Sequence, residues 1–408
     1  MSTAAAILKK GWCPGALRPM QSGDGLIVRV RPRVGRFDLD AARMLADAAQ
    51  RLGNGHIDLT RRANLQIRGL SDNRLDEQQA ELGRFGLLDA DVASEAVRNV
   101  MVAPLAERGS VAYGIAERLE EILAGEPRLR GLPAKFGVLV DEVGPVSISG
   151  ERADISLRVA PGAVAFGIDT LDGTRWLGAC VPRDAVDLVV TAMQAVLECV
   201  PRSRLRTLSA AASSKLLLAV MPKLQPLPPL DPSRGRVIGL VDDGVGVAAP
   251  FGRLEAGQLR RLADLATMAG ARDLRLSPWR TLYMRVRDVA AGKVLLDEAR
   301  SIGLIVDERD PLLRIEACPG APACASGTVD ARGDARRLAR VMAERRFGGT
   351  VHVSACAKGC ARSAPSDLVL VGEAGRYGVV RNGTTRDEAE RTIGPADLES
   401  LLPDANHG

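Results

Sequence analysis

Residues 43–49, RMLADAA, return 217 positions later as residues 260–266, RRLADLA. The same register matches further residues, namely Gly53 with Gly270, Leu59 with Leu276, Leu65 with Leu282, Arg68 with Arg285, and Gly86-Leu87 with Gly303-Leu304. An ungapped match of this length is hard to obtain by chance. The sequence therefore predicts a fold that is written twice, with a ligand expected between its halves.

Each half presents the same order of predicted elements. A β run (25–30 or 237–241) precedes an amphipathic helix near 40–52 or 257–269. A second β run (57–67 or 274–286), another helix and the Gly-Leu pair follow. A looser similarity relates residues 153–157 to 366–370, and a proline-rich linker separates the halves near 225–235. Strands that alternate with helices predict α/β or α+β sheets.

Composition narrows the class of protein. The 408 residues suffice for two or more packed cores, and aromatic residues reach only 3%, too few for stacking on single-stranded nucleic acid. Residues 1–70 carry twelve Lys or Arg against five Asp, an excess of +7 where the whole chain has +5. Without a basic helix or zinc-finger spacing, this excess favours a small polycarboxylate or polyphosphate over nucleic acid. No signal peptide or membrane span is recognised, so we expect a cytoplasmic protein.

Four of the seven cysteines are clustered as Cys318-x5-Cys324 and Cys356-x3-Cys360. Four thiolates on two loops select zinc or an iron–sulfur cluster. The five-residue spacer is wider than the usual zinc knuckle, and the flanking residues are small, which favours the cluster over zinc. The other three (Cys13, Cys180, Cys199) are scattered and are expected to be ordinary small hydrophobic residues.

The cysteine pattern, in the second half of a duplicated chain, resembles the nitrite and sulfite reductases, in which it binds a 4Fe–4S cluster beside a tetrapyrrole. Residues 60–69, TRRANLQIRG, resemble the tetrapyrrole motif of that family. Residues 29–31, 98–100 and 132–136 resemble its other anion-contacting segments in the same order. The resemblance spans nearly the whole chain.

The resemblance implies an α/β (α+β) fold with two ferredoxin-like half domains and two α/β domains that bind the cluster and the tetrapyrrole. We expect the half domains at 1–90 and 236–310 and the α/β domains at 91–224 and 311–408, with 225–235 as the linker. It also implies 4Fe–4S ligation by Cys318, Cys324, Cys356 and Cys360.

Within this family, the opening residues 12–20 (WCPGALRPM) and 23–26 (GDGL) resemble a subfamily of oxygen-dependent enzymes of cobalamin synthesis. Gly137 stands where siroheme sulfite reductases often carry a lysine near the reacting anion. The resemblance implies a monooxygenase that hydroxylates precorrin-3A at C20 with O2 and closes a ring-A acetate onto C1 as a lactone. This substrate is rimmed by carboxylates, which arginine forks bind in a bidentate manner. The candidate substrate-binding residues are Arg29, Arg31, Arg62, Arg68, Arg98 and Lys135.

Oxygen activation needs more than the cluster. The subfamily is associated with a mononuclear non-haem iron, but the chain has only His56, His352 and His407, and we assign no iron ligand and no catalytic residue. Residues 244–249 (GVGVAA) imitate a dinucleotide fingerprint, yet Pro250-Phe251-Gly252 prevents the helix that the motif requires. We therefore expect NADH to supply electrons through a separate donor protein. Two alternatives stay open, a siroheme-dependent sulfite or nitrite reductase and a zinc-stapled, non-enzymatic binding protein.

Overall fold

The computed structural model describes residues 13–199, 204–228, 230 and 235–402. Trp12, His407 and part of the predicted linker (229 and 231–234) lie outside the described residues. Within the described ranges no helix has both the length and the apolar character needed to cross a membrane.

In the described part of the chain, four five-stranded sheets carry the fold, and each half supplies most of the strands of two of them. The strands of the first half are β1 (Met20–Ser22), β2 (Gly25–Val30), β3 (Arg36–Asp38), β4 (His56–Leu59), β5 (Leu65–Leu70), β6 (Val100–Val102), β7 (Val138–Glu142), β8 (Ile155–Ala160), β9 (Ala163–Thr170) and β10 (Gly173–Cys180). Its helices are α1 (Leu39–Leu52), α2 (Leu75–Arg84), α3 (Val92–Val97), α4 (Val111–Gly125), α5 (Ala185–Cys199) and α6 (Ala210–Val220).

The second half repeats this plan. Its strands are β11 (Gly239–Val241), β12 (Gly244–Ala248), β13 (Arg253–Glu255), β14 (Asp273–Leu276), β15 (Thr281–Arg285), β16 (Ile315–Ala317), β17 (Val351–Ser354), β18 (Ser366–Glu373), β19 (Arg376–Gly383) and β20 (Arg391–Ile393). Its helices are α7 (Ala256–Met268), α8 (Val289–Ser301) and α9 (Ala331–Glu344).

The two ferredoxin-like sheets exchange one strand each. The first has the order β1-β2-β5-β4-β13 and the second β11-β12-β15-β14-β3. Strand β13 of the second half therefore closes the first sheet, with Arg253 opposite Asp58, and β3 closes the second, with Phe37 opposite Leu274. Helices α1 and α7 pack together over these sheets, and apolar residues of both halves form one continuous core.

Backbone conformation confirms the duplication predicted from residues 43–49 and 260–266. Positive φ recurs 217 positions apart at Val34 (51°) and Phe251 (57°), and at Ala63 (51°) and Arg280 (60°). Side chains other than glycine rarely adopt this region, because Cβ crowds the backbone there. The same two strained turns have thus been kept in both halves, and three of these four residues line the cleft described below.

Two details of the predicted strands are wrong. The second β run of each half (57–67 and 274–286) is a hairpin, β4–β5 or β14–β15, because a tight turn interrupts it. The counterpart of β2 is β12 and not residues 237–241, of which only the short edge strand β11 is extended. Residues 244–248, which imitated a dinucleotide fingerprint, therefore form a buried interior strand.

The remaining two sheets are of mixed type. In the order β10-β9-β8-β7-β6, strands β6, β7 and β8 are parallel, and in β16-β17-β18-β19-β20 strands β16, β17 and β18 are parallel. Strands β8 and β18, which contain the loosely similar segments, are the central strands of their sheets. Helix α4 packs on the first of these sheets and α9 on the second.

Candidate functional site

The cysteine pairs follow two adjacent parallel strands. Cys318 comes directly after β16 and Cys356 shortly after β17, so both loops leave the sheet at the same edge. The Cys318 amide donates to the carbonyl of Val353 (3.3 Å), and the Ala355 amide donates to the Cys318 sulfur (3.1 Å). Residues that lie 38 positions apart in the chain, Cys318 and Cys356, are thereby brought into one loop cluster.

Glycines let these loops approach their supports. Gly320 has φ of 68°, and a Cβ there would lie 2.6 Å from the Ala331 amide nitrogen. Gly359 has φ of 60°, and a Cβ there would lie 2.5 Å from the Thr385 hydroxyl. Both positions therefore require glycine.

The thiol of Cys360 is influenced by the other three clustered cysteines. Burial raises the pKa of Cys360, and the neighbouring Cys356, Cys318 and Cys324 raise it further. None of the seven cysteines, all of which are described, forms a disulfide. Cys318 is buried, Cys324 and Cys356 are half-buried and Cys360 is exposed. A set of four free thiols on two loops has the donor chemistry of an iron–sulfur cluster. Within the described ranges, no group of three or more His, Cys, Asp or Glu side chains converges on one point, as the ligands of a single metal ion do. A 4Fe–4S cluster takes one thiolate on each iron, so its four cysteines surround a larger volume.

A cleft runs from these cysteines to the first-half motif. It consists of three adjoining cavities of about 480, 160 and 130 Å³, and Arg61 borders all three. The largest has Arg29, Gln66 and Arg68 on one side and Cys318 and Cys360 on the other. The tetrapyrrole-like motif and the cysteine loops, which the sequence separates by some 250 positions, therefore share a wall.

Positive charge dominates the cleft. Four carboxylates border it, those of Asp58, Glu120, Glu151 and Glu316. The bordering cations are Arg29, Arg31, Arg61, Arg62, Arg68, Arg98, Lys135, Arg152, Arg204, Arg236, Arg280, Arg332 and Arg362. This imbalance in a concave, partly desolvated site creates a strong attraction for a multiply negative ligand.

All six predicted substrate-binding cations border this cleft, but three are engaged with protein acids. Arg98 is buried and donates to both Asp89 oxygens (2.8 Å each). Arg31 pairs with Glu95 (3.5 Å), and Arg68 holds Asp24 through two bonds of 2.9 and 2.7 Å. These guanidinium groups are fixed in place, and they stiffen the wall of the cleft.

The other three lie freer. Arg62 was predicted to lie on a strand, but it lies in the turn between β4 and β5. There it donates to the Lys135 carbonyl (3.0 Å). The Thr60 hydroxyl accepts from the Arg62 and Asn64 amides (3.2 Å each), which explains a threonine at this position. Lys135 is exposed. Arg29 donates to the side-chain oxygen of Gln66 on the neighbouring strand β5, at 2.9 and 3.2 Å, and its guanidinium group also interacts with the thiol of Cys13. Burial lowers the pKa of both Arg29 and Arg62, so their charges lie in a partly dehydrated setting.

Sequence reasoning missed several cations of the cleft. Arg61 of the first half and Arg280 of the second both donate to Glu316, which joins the two halves across the site. Arg61 stands inside the quoted motif, so it could have been chosen from the sequence. Arg280 stands 217 positions after Ala63, inside the second copy of the motif, so the repeat could have indicated it as a cation of the site.

The second copy of the motif turn is filled by aromatic residues. Trp279 occupies the position equivalent to Arg62 and Tyr283 that equivalent to Gln66. Trp279 donates to Glu151 (2.7 Å), and the buried Tyr283 hydroxyl accepts from the Val237 amide (3.2 Å). The second copy of the motif therefore lacks counterparts of Arg62 and Gln66, although it contributes Arg280 to the cleft.

The two described histidines lie apart from any set of metal ligands. His352 is fully buried in β17, and neither of its ring nitrogens has a partner among the described residues. Burial lowers its pKa to about 4, so the ring is neutral. His56 is half-buried at the start of β4, and burial lowers its pKa too.

Comparison with known proteins agrees with this geometry. The family description "Nitrite/Sulfite reductase ferredoxin-like half domain" matches residues 18–85 and 242–300. The solved structure of the Mycobacterium tuberculosis NirA protein superposes with a TM-score of 0.69 at 18% identity, covering 92% of this chain and 79% of that one. This likeness confirms the predicted fold class.

Relatives with assigned names narrow the family further. A ferredoxin–nitrite reductase from Leptolyngbya laminosa is 24% identical, covering 88% of this chain and 79% of that protein. A precorrin-3B synthase from Sinorhizobium sp is 33% identical over 396 residues, covering 93% of this chain and 84% of that protein. The chain therefore belongs to the precorrin-3B synthase family, within the superfamily of nitrite and sulfite reductases.

Proposed function

We propose that this protein is an oxidoreductase, an O2-dependent monooxygenase that converts precorrin-3A to precorrin-3B in cobalamin synthesis. One oxygen atom of O2 becomes the C20 hydroxyl group and the other leaves as water, with two electrons and two protons. The ring-A acetate closes onto C1 as a lactone: its oxygen adds to C1 as the C1–C20 double bond is consumed, and its proton ends on the new C20 oxygen. The observation that carries the proposal is the single cavity bordered by Arg29 and Arg68 of the first half and by Cys318 and Cys360 of the second.

The electrostatics of the cleft support a tetrapyrrole polycarboxylate as the substrate. Of the six cations predicted to bind its carboxylates, we assign Arg29, Arg62 and Lys135 to direct contacts. We assign Arg31, Arg68 and Arg98, which are paired with protein acids, to the positively charged wall of the site. Arg62 and Lys135 border the cavity of about 160 Å³, and Arg29 borders the cavity of about 480 Å³ beside the cysteines. The three cations are therefore distributed along the cleft, as the acetates and propionates around a flat macrocycle would require. The guanidinium groups of Arg31 and Arg98 are paired with Glu95 and Asp89. These two arginines therefore add positive charge to the wall of the cleft without binding the substrate directly.

The four clustered cysteines are assigned to a 4Fe–4S cluster. Their donor chemistry fits that group, and when bound it would relay single electrons toward the cleft. The chain's own contribution is to hold Cys318 at the edge of the cavity, through the Ala355 amide, and to leave Cys360 exposed. We assign the delivery of electrons to a separate donor protein, which NADH reduces. We assign no ligand to a mononuclear iron.

Gly137 supports the monooxygenase over sulfite or nitrite reduction. Its amide donates to Asp154 (3.0 Å), and it borders the cavity that contains Lys135. A Cβ at this position would meet only the Asn99 carbonyl, at 3.6 Å, so a longer side chain has room to start here. Crowding at the Cβ position therefore does not explain why this chain has glycine at 137 in place of the lysine of the sulfite reductases.

The test is a turnover assay with isotopically labelled oxygen. Purified protein is given precorrin-3A, a reduced ferredoxin-type donor and 18O2, and the product is examined by mass spectrometry. The proposal predicts one labelled oxygen atom in the product, at C20, with unlabelled lactone oxygens from the acetate. Unlabelled product, or reduction of sulfite or nitrite in place of any reaction with precorrin-3A, contradicts it. Turnover with NADH alone at full rate contradicts the separate donor.

A further inference from the structure

Arg332 is an arginine of the cleft that the sequence motifs did not indicate. It lies in the first turn of α9, and its side chain borders the largest of the three cavities of the cleft together with Cys318 and Cys360. Its Nε and Nη1 atoms are buried and have no hydrogen-bond partner among the described residues. Burying a guanidinium group without an acceptor is costly, so this arrangement calls for an anion.

The nearby carboxylate is already engaged by other arginines. Asp58 accepts from Arg253 through two bonds of 2.7 and 3.1 Å and lies 3.4 Å from Arg68. Arg68 in turn holds Asp24. The three arginines Arg68, Arg253 and Arg332 thus share the two carboxylates of Asp24 and Asp58. One positive charge is left in excess beside Cys318. The pKa of Arg332 is lowered to about 10, first by burial and then by the charge of Arg253.

The cysteine loop packs directly against the start of α9. The Ala321 amide donates to the Val329 carbonyl (2.8 Å), and Gly320 lies so close to the Ala331 amide that a Cβ would not fit. Arg332 follows Ala331 at once, which places it at the foot of the loop that carries Cys318 and Cys324. The thiol of Cys318, which takes no part in the ion pairs of Asp58 and Asp24, also interacts electrostatically with the guanidinium group of Arg332.

We propose that Arg332 is the counter-charge of the iron–sulfur cluster and raises its reduction potential. This inference rests on the proposed function, specifically on the assignment of the four cysteines to a cluster. Reduction adds one electron to a group that is already negative, since four thiolates surround it. A desolvated cation beside Cys318 stabilises the reduced form more than the oxidised form. Charge and hydrogen bonds at the sulfurs are among the properties that set such potentials. Arg332 is therefore a positioning residue, which acts on electron transfer without touching the substrate.

The experiment is a potentiometric titration of the cluster in the intact protein, followed by electron paramagnetic resonance. The variant Arg332→Gln removes the charge while keeping a polar side chain of similar length. The matched control is Arg340→Gln, which removes the same charge from an exposed position two turns further along α9. We expect Arg332→Gln to shift the potential to a lower value and Arg340→Gln to leave it unchanged.

An Arg332→Gln protein with a full cluster and an unchanged potential overturns the inference, and a raised KM for precorrin-3A in that protein would make Arg332 a substrate anchor instead. If Arg332→Gln cannot hold the cluster, Arg332→Met is measured. It also removes the charge while filling the space of the aliphatic stem, so we expect a lower potential than in the wild type, and an unchanged potential overturns the inference there too. Wild-type protein that contains no iron and sulfide contradicts the proposed cluster itself, which separates the two failures.

Discussion

Arg253 and Asp58 form a two-pronged ion pair between the halves of the molecule, with Nε–Oδ1 and Nη2–Oδ2 distances of 2.7 and 3.1 Å. They are direct partners in the ladder between β13 and β4. Their side chains are only 12% and 16% exposed, so water screens the pair little. The pair therefore fixes the exchanged strand in register, beside the cavity that contains Cys318.

Arg253→Gln should destabilise the protein by about 3 kcal/mol, because a carboxylate that is mostly buried loses its main partner. The measurement is the free energy of unfolding from a denaturant titration. Arg261→Gln is the matched control, since Arg261 pairs with Glu298 on the same half at a site where both are about half exposed. That variant should lose less than about 1 kcal/mol. Equal losses in the two variants would contradict the role of the exchanged strand.

The pair also predicts a dependence of stability on pH. Burial acts to raise the pKa of Asp58, but the hydrogen bond and charge of Arg253, with the charges of Arg332 and Arg68, outweigh it, so the pKa is lowered. The stabilisation is then fully present above the unfolded-state pKa of about 4 and is lost as the pH falls through the lower folded-state value. Thermal unfolding between about pH 6 and pH 3 should show a steeper acid-side loss in the wild type than in Arg253→Gln. Parallel curves would show that Asp58 is not the group responsible.

Arg62→Ala should raise the apparent KM for precorrin-3A by roughly 10- to 150-fold, the loss of one charge-assisted hydrogen bond of about 1.5–3 kcal/mol. The cluster absorbance should be unchanged, because Arg62 lies in the turn between β4 and β5 and its described bond is to Lys135. Arg84→Ala, at the exposed end of α2, is the control and should leave KM unchanged. Loss of the cluster in Arg62→Ala would show that Arg62 is structural.

Arg98 should behave differently from Arg62, although both border the same cavity. Its side chain is 2% exposed and holds Asp89 at 2.8 Å and Glu120 at 3.4 Å. Arg98→Met should therefore cost about 3–5 kcal/mol of stability, since two buried carboxylates lose their counter-ion. The midpoint of thermal unfolding measures this. A stable variant with only a raised KM would make Arg98 a direct ligand of the substrate.

The repeated plan and the α/β class could be predicted from the sequence because both depend on local pattern. The match of 43–49 with 260–266 marks the same helix in each half, and the helices α1 and α7 begin and end within one or two residues of expectation. The strand exchange could not be predicted. Strands β3 and β13 have three residues each, and their partners lie some 200 positions away, so no local pattern specifies the pairing.

Part of the candidate site could also be predicted from the sequence, and part could not. The cysteine spacing indicates two loops, and parallel strands place them at one edge. Arg332 could not be chosen, since α9 also contains Arg336, Arg337 and Arg340, and nothing in the sequence distinguishes the side chain that turns toward Cys318. The hairpin turn around Arg62 was missed because apolar residues on both sides of it read as one strand.

The most direct test of the account is an ultraviolet–visible spectrum of anaerobically purified protein, with iron, sulfide and zinc measured on the same sample. We expect the broad absorption of an iron–sulfur cluster and about four irons and four sulfides per chain. We expect no macrocycle band, because the tetrapyrrole is a substrate. A strong chlorin-type band would mean that the arginine-lined cleft holds siroheme as a cofactor. Zinc in place of iron and sulfide would mean that the four cysteines form a structural site, and either result would contradict the account.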